Sequence, residues 1–579
     1  MPVIFSQTPP LDPAALMVAY HHDERWLARS GFRDIRQHIW ARIDVWLDEF
    51  ADGFDDLARD ILHWGDAWWL SRLSRLDARP WGQEAAFRPV CFARAVIELA
   101  ETLTTSDVLY VVGAPLAVRR HAMEMAPDPD LFSADGGDRL PLAGGAGCRA
   151  LLSAIKGGLA EAVALMRRHA FVRPARTFPA VIACHEVVGE SAAEDAHRYF
   201  YGDVIGDAMP DGSIDYLALG VAGPSRTEAP GTFLLDWLSP WDVAACWIGH
   251  AYRTLQAWLA LRRRPPLRFG GYVLTGFWQA YLGDQLSSVM LPRELAARRA
   301  MVRLMAQIGP RTILLPYEEK PLERALELAM HGAGGRIVGY APHPQHALLA
   351  ALRDRPGSGC PKPNAYAVCG PAYVDYFRNW ANKDAAISVW GSAKQYAADP
   401  VVRRVPLIAP VRVLVLLSHP NELRLFGTWL DAAPGLTQDL QYLVRIYGAV
   451  GRQLFQPELD RIRVRHPVVD AVGGTLRDNV AQSDVSLFCA TSAGIEAINL
   501  GALAVHVELN EGFSINPCFG RLAAMLSCAT AVELSRCFER LRGDDAETLA
   551  ALHDRQKMAA AELFSPLSAD QVVTTLADG

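Results

Sequence analysis

The chain of 579 residues has no C-x-x-C pair, and none of its ten cysteines shares metal-ligand spacing with a histidine. Zinc modules and disulfide scaffolds are thereby excluded, and scattered, mostly apolar-flanked cysteines are those of a reduced cytosolic interior. Positive charge is also in deficit. A formal net charge of −7 argues against a nucleic-acid binder. Long apolar runs are missing too: no stretch of about 18 uninterrupted apolar residues exists to span a bilayer. The opening MPVIFSQTPPLDP has neither a basic n-region nor an apolar h-region, so a secretory signal is not expected. The expected location is the cytoplasm, or the cytoplasmic face of the inner membrane.

What is present is ordinary globular composition, 51% hydrophobic and 21% charged. The length exceeds one hydrophobic core and suits two large domains. The first hundred residues, with Trp64, Trp68 and Trp69, read as mainly helical. From Asp107–Val112 onward, short apolar runs alternate with helical periods: strands at 180–184, 214–220, 312–315 and 336–339, and helices at 241–264, 270–308 and 321–332. This is the pattern of parallel βαβ units. The alternation restarts after PVVRRVPLIAP, with strands expected at 411–417, 442–446, 462–465, 484–488 and 504–508. A boundary near 405 gives an N-terminal unit 1–405 and a C-terminal unit 406–579, with a cleft expected between the carboxyl ends of their sheets.

Several strand-end segments carry residues able to do chemistry. After Asp484–Cys489 come Thr491, Ser492, Gly494 and Glu496. Hydroxyls and free helix N–H groups there suit a phosphate, or simply cap a helix with no ligand. After Thr312–Leu315 stand Glu318 and Glu319. A carboxylate here can act as base, nucleophile or hydroxyl ligand, or enrich a helix N-terminus. Tyr340, His343 and His346 follow the next strand. Ser418-His419-Pro420 follows the first strand of the second unit, with polar groups that suit sugar or phosphate. Asp203 lies in an aromatic turn, Tyr199-Phe200-Tyr201-Gly202-Asp203. Ser239-Pro240 reads as the cap and first residue of a helix. That helix ends on Arg262-Arg263-Arg264, a solvated helix end or a contact for anionic lipid.

Taken in order, Tyr317-Glu318-Glu319-Lys320-Pro321-Leu322-Glu323, Gly339–His343, Lys362-Pro363-Asn364 with Cys369-Gly370, and Tyr199–Asp203 resemble a bacterial surface carbohydrate biosynthesis family. The resemblance runs from about Trp68 to Leu509. That family is similar to GT-B glycosyltransferases using CMP-activated acidic sugars of the Kdo and nonulosonate type. It implies two Rossmann-like domains facing across a cleft, with extra N-terminal helices. It implies Glu318 and His343 as catalytic, with Glu319, Tyr340 and Asp203 as secondary candidates. Ser418, His419, Thr491, Ser492, Gly494 and Glu496 would bind the nucleotide sugar. Thr491-Ser492 matches the family's Ser-Ser/Thr motif. Its His-Pro pair does not follow Tyr442–Ile446, where Tyr447-Gly448 stands; His419-Pro420, His466-Pro467 and His343-Pro344 are the pairs present. Neither metal nor cofactor is expected, and the partners are a nucleotide sugar and a glycan or glycolipid acceptor. A sugar-nucleotide epimerase and a non-catalytic scaffold of a glycan assembly complex are the alternatives.

Overall fold

The computed structural model describes residues 3–6, 10–12, 14–20, 30–33, 35, 38–39, 42, 45–46, 49, 87–103, 108–114, 116–125, 132–134, 156, 179–185, 201, 214–219, 232–262, 268–269, 272–273, 290–317, 321–343, 362–378, 385–393, 406–446, 452–509, 517–518 and 525–577. Within them the chain builds three parallel sheets and one short antiparallel pair.

The first sheet joins β1 (Val3–Ser6), β2 (Met17–Ala19), β3 (Leu109–Val112) and β4 (Phe132–Ala134) in the order β2-β3-β1-β4. The N-terminal region is therefore not helical alone. The helices Phe87–Thr102 and Leu116–Met125 accompany a sheet of its own. Strands as short as VIFS and MVA are hard to see in sequence, because three or four residues hold too few alternations to stand out.

The second sheet uses β5 (Val181–His185), β6 (Ile214–Ala218) and β7 (Thr232–Phe233). The pair β8 (Arg268–Phe269) and β9 (Tyr272–Val273) stands apart from it. The sheet resumes with β10 (Thr312–Pro316), β11 (Arg336–Ala341), β12 (Ala365–Val368) and β13 (Ala386–Val389). Its order is β13-β12-β11-β10-β5-β6-β7, all parallel. Of the helix expected over 270–308, Met290–Ile308 is helical and Tyr272–Val273 is extended instead, while 274–289 lie outside the described residues. The helices Pro240–Arg262 and Pro321–Ala333 lie where expected. Ser239 caps the former: its hydroxyl accepts from Asp242 N–H at 3.3 Å and donates to the Asp242 carboxylate at 2.6 Å.

The third sheet contains β14 (Val411–Leu417), β15 (Leu440–Ile446), β16 (Val469–Val472), β17 (Val485–Phe488), β18 (Leu503–Val507) and β19 (Leu526–Cys528). Its order is β16-β15-β14-β17-β18-β19, again parallel. Central β14, VRVLVLL, is almost wholly buried, as a strand covered on both faces requires. The strand expected at 462–465 is instead the end of the helix Arg452–Arg465, and the strand comes at Val469–Val472. Phe455, Leu459 and Ile462 sit at helical spacing and are all buried, which is what holds the helix through to 465.

The second and third sheets make the chain an α/β protein with two Rossmann-like units. A continuous buried cluster contains Tyr317, Val368 and Tyr373 from the one and Leu414, Phe488 and Ile495 from the other. The chain end ties them further. After the helix Ala546–Leu563, Ser565 N–H donates to Cys369 O and Ser392 N–H donates to Ser565 O. The last helix, Ala569–Ala577, then packs Val572 and Leu576 with Tyr340 and Trp390 of the second sheet. Gly391, at φ +86°, permits this crossing, because a Cβ there would meet the Pro566 carbonyl.

Candidate functional site

Each large sheet has one place where strand order reverses. In the second it lies between β5 and β10; in the third, between β14 and β17. At such a point the connections leave adjacent strands in opposite directions and open a crevice at the carboxyl edge.

In the third sheet, two of the sequence-selected segments meet at this point. β14 runs into Ser418-His419, and β17 runs into Cys489–Ser492. The helix Pro420–Ala432 begins on a capping box. His419 Nδ1 accepts from Asn421 N–H at 3.1 Å, and Pro420 occupies the first helical position. With Nδ1 accepting, the neutral ring carries its proton on Nε2. Glu422 turns back to accept from Ser418 N–H at 2.7 Å, Ser418 Oγ at 2.9 Å and His419 N–H at 3.3 Å. Glu422 as a whole is only 1% exposed, which makes it an internal staple of the loop and not a group facing a ligand. Burial pushes its pKa up to about 7, against the opposing pull of hydrogen bonds from Ser418, His419 and the Cys489 side chain. Glu422 thus links the ends of β14 and β17. Glu422 belongs to the strand-end segment read from sequence but not to the site residues chosen there, although His-Pro-x-Glu at a strand end is a capping-box pattern. The hydroxyl of Ser418, itself buried, is committed to this staple.

Beyond β17, Thr491 Oγ1 accepts from Ala493 N–H at 3.2 Å, and Ser492 Oγ donates to Glu496 at 3.3 Å. Both residues are part-exposed at the start of the short helix Ala493–Asn499. Gly494 has a packing reason: a Cβ there would strike the Phe488 ring. Arg445, near the end of β15, was not singled out from sequence. Its guanidinium donates to Gly474 O at 2.6 Å and Asn479 Oδ1 at 2.7 Å. Partial burial lowers its pKa and the Glu496 carboxylate raises it, so cation and carboxylate act on each other beside the crevice. His466 is elsewhere, bonded to Asp431 at 2.8 Å on the helix Pro420–Ala432.

At the reversal point of the second sheet, the buried Tyr201 hydroxyl donates to Cys184 O on β5, and lies 3.2 Å from Leu314 O on β10. The Tyr201 ring stacks on Tyr340 at 5.9 Å, and Tyr340 meets Trp390 at 5.4 Å. Tyr340 is wholly buried, its hydroxyl donates to Gly391 O at 2.9 Å, and burial pushes its pKa up. It builds the floor under the carboxyl edge. His343 is part-buried two residues past β11. Glu318, Glu319 and Asp203 lie outside the described residues. Among the described residues, no group of three or more His, Cys, Asp or Glu is placed to hold a metal ion, and no helix is long and apolar enough to cross a membrane.

No protein-family model and no curated protein matches the chain. Solved structures do. An α,α-trehalose 6-phosphate synthase of Burkholderia multivorans is 14% identical, with 70% of this chain and 96% of that one covered and a TM-score of 0.39. An α,α-trehalose-phosphate synthase (UDP-forming) of Burkholderia vietnamiensis is 12% identical over 70% of this chain and 99% of that one, at a TM-score of 0.40. MurG of Acinetobacter baumannii is 13% identical over 69% of this chain and 100% of that one, at a TM-score of 0.37. Likenesses this distant leave the reading of the site to the chain's own residues.

Proposed function

We propose that the protein is a GT-B-type glycosyltransferase that binds a nucleotide sugar at the reversal point of its third sheet. One observation carries this: the loops after β14 and β17 converge there, bound to each other through Glu422, with Arg445 alongside. The boundary between the units is taken near 405, and the crevice of each unit faces a shared cleft.

In this reading Thr491 and Ser492 hold the donor phosphate, Arg445 supplies the positive charge, and the Nε2 proton of His419 is directed at the leaving group. Such donors stabilise a departing phosphate without a metal. The chemistry is therefore metal-independent and needs no cofactor. From the opposite unit, Glu318 takes the proton of the acceptor hydroxyl or attacks the sugar carbon, and His343 assists at the donor. The sugar passes to a glycan or glycolipid of a bacterial surface polymer. The donor is assigned as a CMP-activated ulosonic or nonulosonic acid, on the Thr491-Ser492 motif and the order of the Tyr317–Glu323, Gly339–His343 and Lys362–Gly370 segments.

Thermal melting with CMP, UDP and GDP tests the donor. CMP is expected to raise the melting temperature most, because a ligand of the folded state stabilises it. A larger shift with UDP or GDP would reject the CMP assignment, and no shift with any nucleotide would reject the site. Incubation with the sugar nucleotide and chelator separates the alternatives: free sugar isomers would mean an epimerase, and an unchanged donor in the presence of acceptor would mean a scaffold.

A further inference from the structure

Pro240–Arg262 is a 23-residue helix with one face packed inward. Val243, Trp247 and Ala251 are buried on that face, and Asp242 pairs with Arg299 at 2.9 Å and with Arg303 on the neighbouring helix. On the opposite face, the described residues expose apolar side chains. Trp241 is 83% exposed, Ile248 68%, Tyr252 61% and Leu259 40%. With exposed Ala245 between them, these positions recur at steps of four, three, four and seven, so they form one stripe along the helix. Among the described exposed positions of this stripe there is no charged residue. The helix then ends on Arg262, and Arg263, Arg264 and Arg268 follow in sequence.

We propose that this stripe docks the protein on an anionic bilayer surface. Contiguous exposed apolar surface on a folded protein marks an interaction site. Trp and Tyr suit the boundary between headgroups and acyl chains, where the ring is buried and its polar atom stays wet. The arginine run supplies the attraction to anionic headgroups, and it does so on a chain whose net charge of −7 would otherwise repel them. Charge also separates this occupant from a second copy of the chain. Paired with itself, the stripe would offer the arginines no carboxylate among its described exposed positions, whereas an anionic bilayer offers an apolar interior and a negative rim together. The inference is independent of the donor assignment, since no nucleotide enters it.

Co-sedimentation with vesicles of phosphatidylcholine alone, or mixed with phosphatidylglycerol, tests it on the full chain. The wild-type protein is expected to pellet with the phosphatidylglycerol vesicles and to be released by high salt. The triple substitution Trp241→Ser, Ile248→Ser, Tyr252→Ser should weaken partitioning by roughly tenfold or more. The triple substitution Arg262→Gln, Arg263→Gln, Arg264→Gln should do so by a similar factor and remove the salt dependence. If the stripe variant melts below wild type, Trp241→Ser alone, at the most exposed position, is read in its place. Failure of the wild type to pellet, equal binding to neutral vesicles, or undiminished binding by the variants would each overturn the proposal. So would a dimer, seen by light scattering, that the stripe substitutions dissociate while vesicle binding is absent.

Discussion

At position 318 the chain carries a carboxylate, two residues after β10 in sequence. If Glu318 takes the acceptor proton, Glu318→Gln should keep the fold and donor binding but slow turnover by about a hundredfold or more. Glu319→Gln should do much less; steady-state kinetics on the pair decides, and equal activity in both would move the chemistry elsewhere. At the other crevice, Thr491→Ala and Ser492→Ala should each cost about 1.5–3 kcal/mol of nucleotide affinity by calorimetry, the worth of a hydrogen bond to a charged group. An unchanged double variant would place the phosphate away from β17. Glu422 makes a different prediction. Its folded pKa of about 7 lies above the ordinary value of 4.5, so between them the folded state holds a proton that the unfolded state has lost. Stability should therefore fall as pH rises through that window, by about 3 kcal/mol in all, and level off above it. Denaturant titrations across pH should show that slope in wild type and lack it in Glu422→Gln. Identical slopes would mean that the carboxyl ionises normally.

Among the elements, the helix Pro240–Arg262 shows what local sequence settles and what it leaves open. Its start was legible, because Ser-Pro-x-Asp places a cap, a proline at the first helical position and a carboxylate in the first turn. That Asp242 also holds Arg299 and Arg303 was not, since those arginines lie some sixty positions away on another helix. Burial raises the Asp242 pKa, but the Ser239 hydrogen bonds and the two arginines outweigh it and leave the value low. Its stabilisation is thus present above the ordinary carboxylate range and lost as pH falls through the folded value. Asp242→Asn should lower stability at neutral pH by about 2 kcal/mol, read from urea midpoints. Parity with wild type would show that Ser239 alone caps the helix. The segment 462–465 teaches the converse. IRVR alternates like a strand, yet Ile462 completes a buried helical row with Phe455 and Leu459. Four residues fit both periods, and only the packing partner decides between them.

For the whole molecule, the return of the chain end matters most. The helix Ala569–Ala577 follows the third sheet in sequence but lies on the second, where Trp390 Nε1 donates to Thr575 Oγ1 at 3.0 Å. Truncation before Ala569 would uncover Val572 and Leu576 contacts and strip Trp390 of that partner. A loss of about 4 kcal/mol is expected, from two buried aliphatic side chains and one hydrogen bond. The loss should appear as a lower melting temperature and faster proteolysis of the segment around β5 and β10. An unaltered melting profile would show that the returning helix adds nothing to the second sheet.

Residue order by itself determined the α/β class and placed the central strands, because runs such as VRVLVLL and TILLP can satisfy both apolar faces only inside a covered parallel sheet. It also drew attention to Ser418-His419 and Thr491-Ser492, since polar groups directly after buried strands stand at the edge where ligands bind. The tertiary structure decided the rest. Strand order, and with it the two reversal points, depends on which distant strand pairs with which. The bond from Glu422 to Cys489, the pull between Arg445 and Glu496, and the passage of Ser565-Pro566 across Gly391 are likewise interactions between segments far apart in sequence, made where shape and burial bring them together.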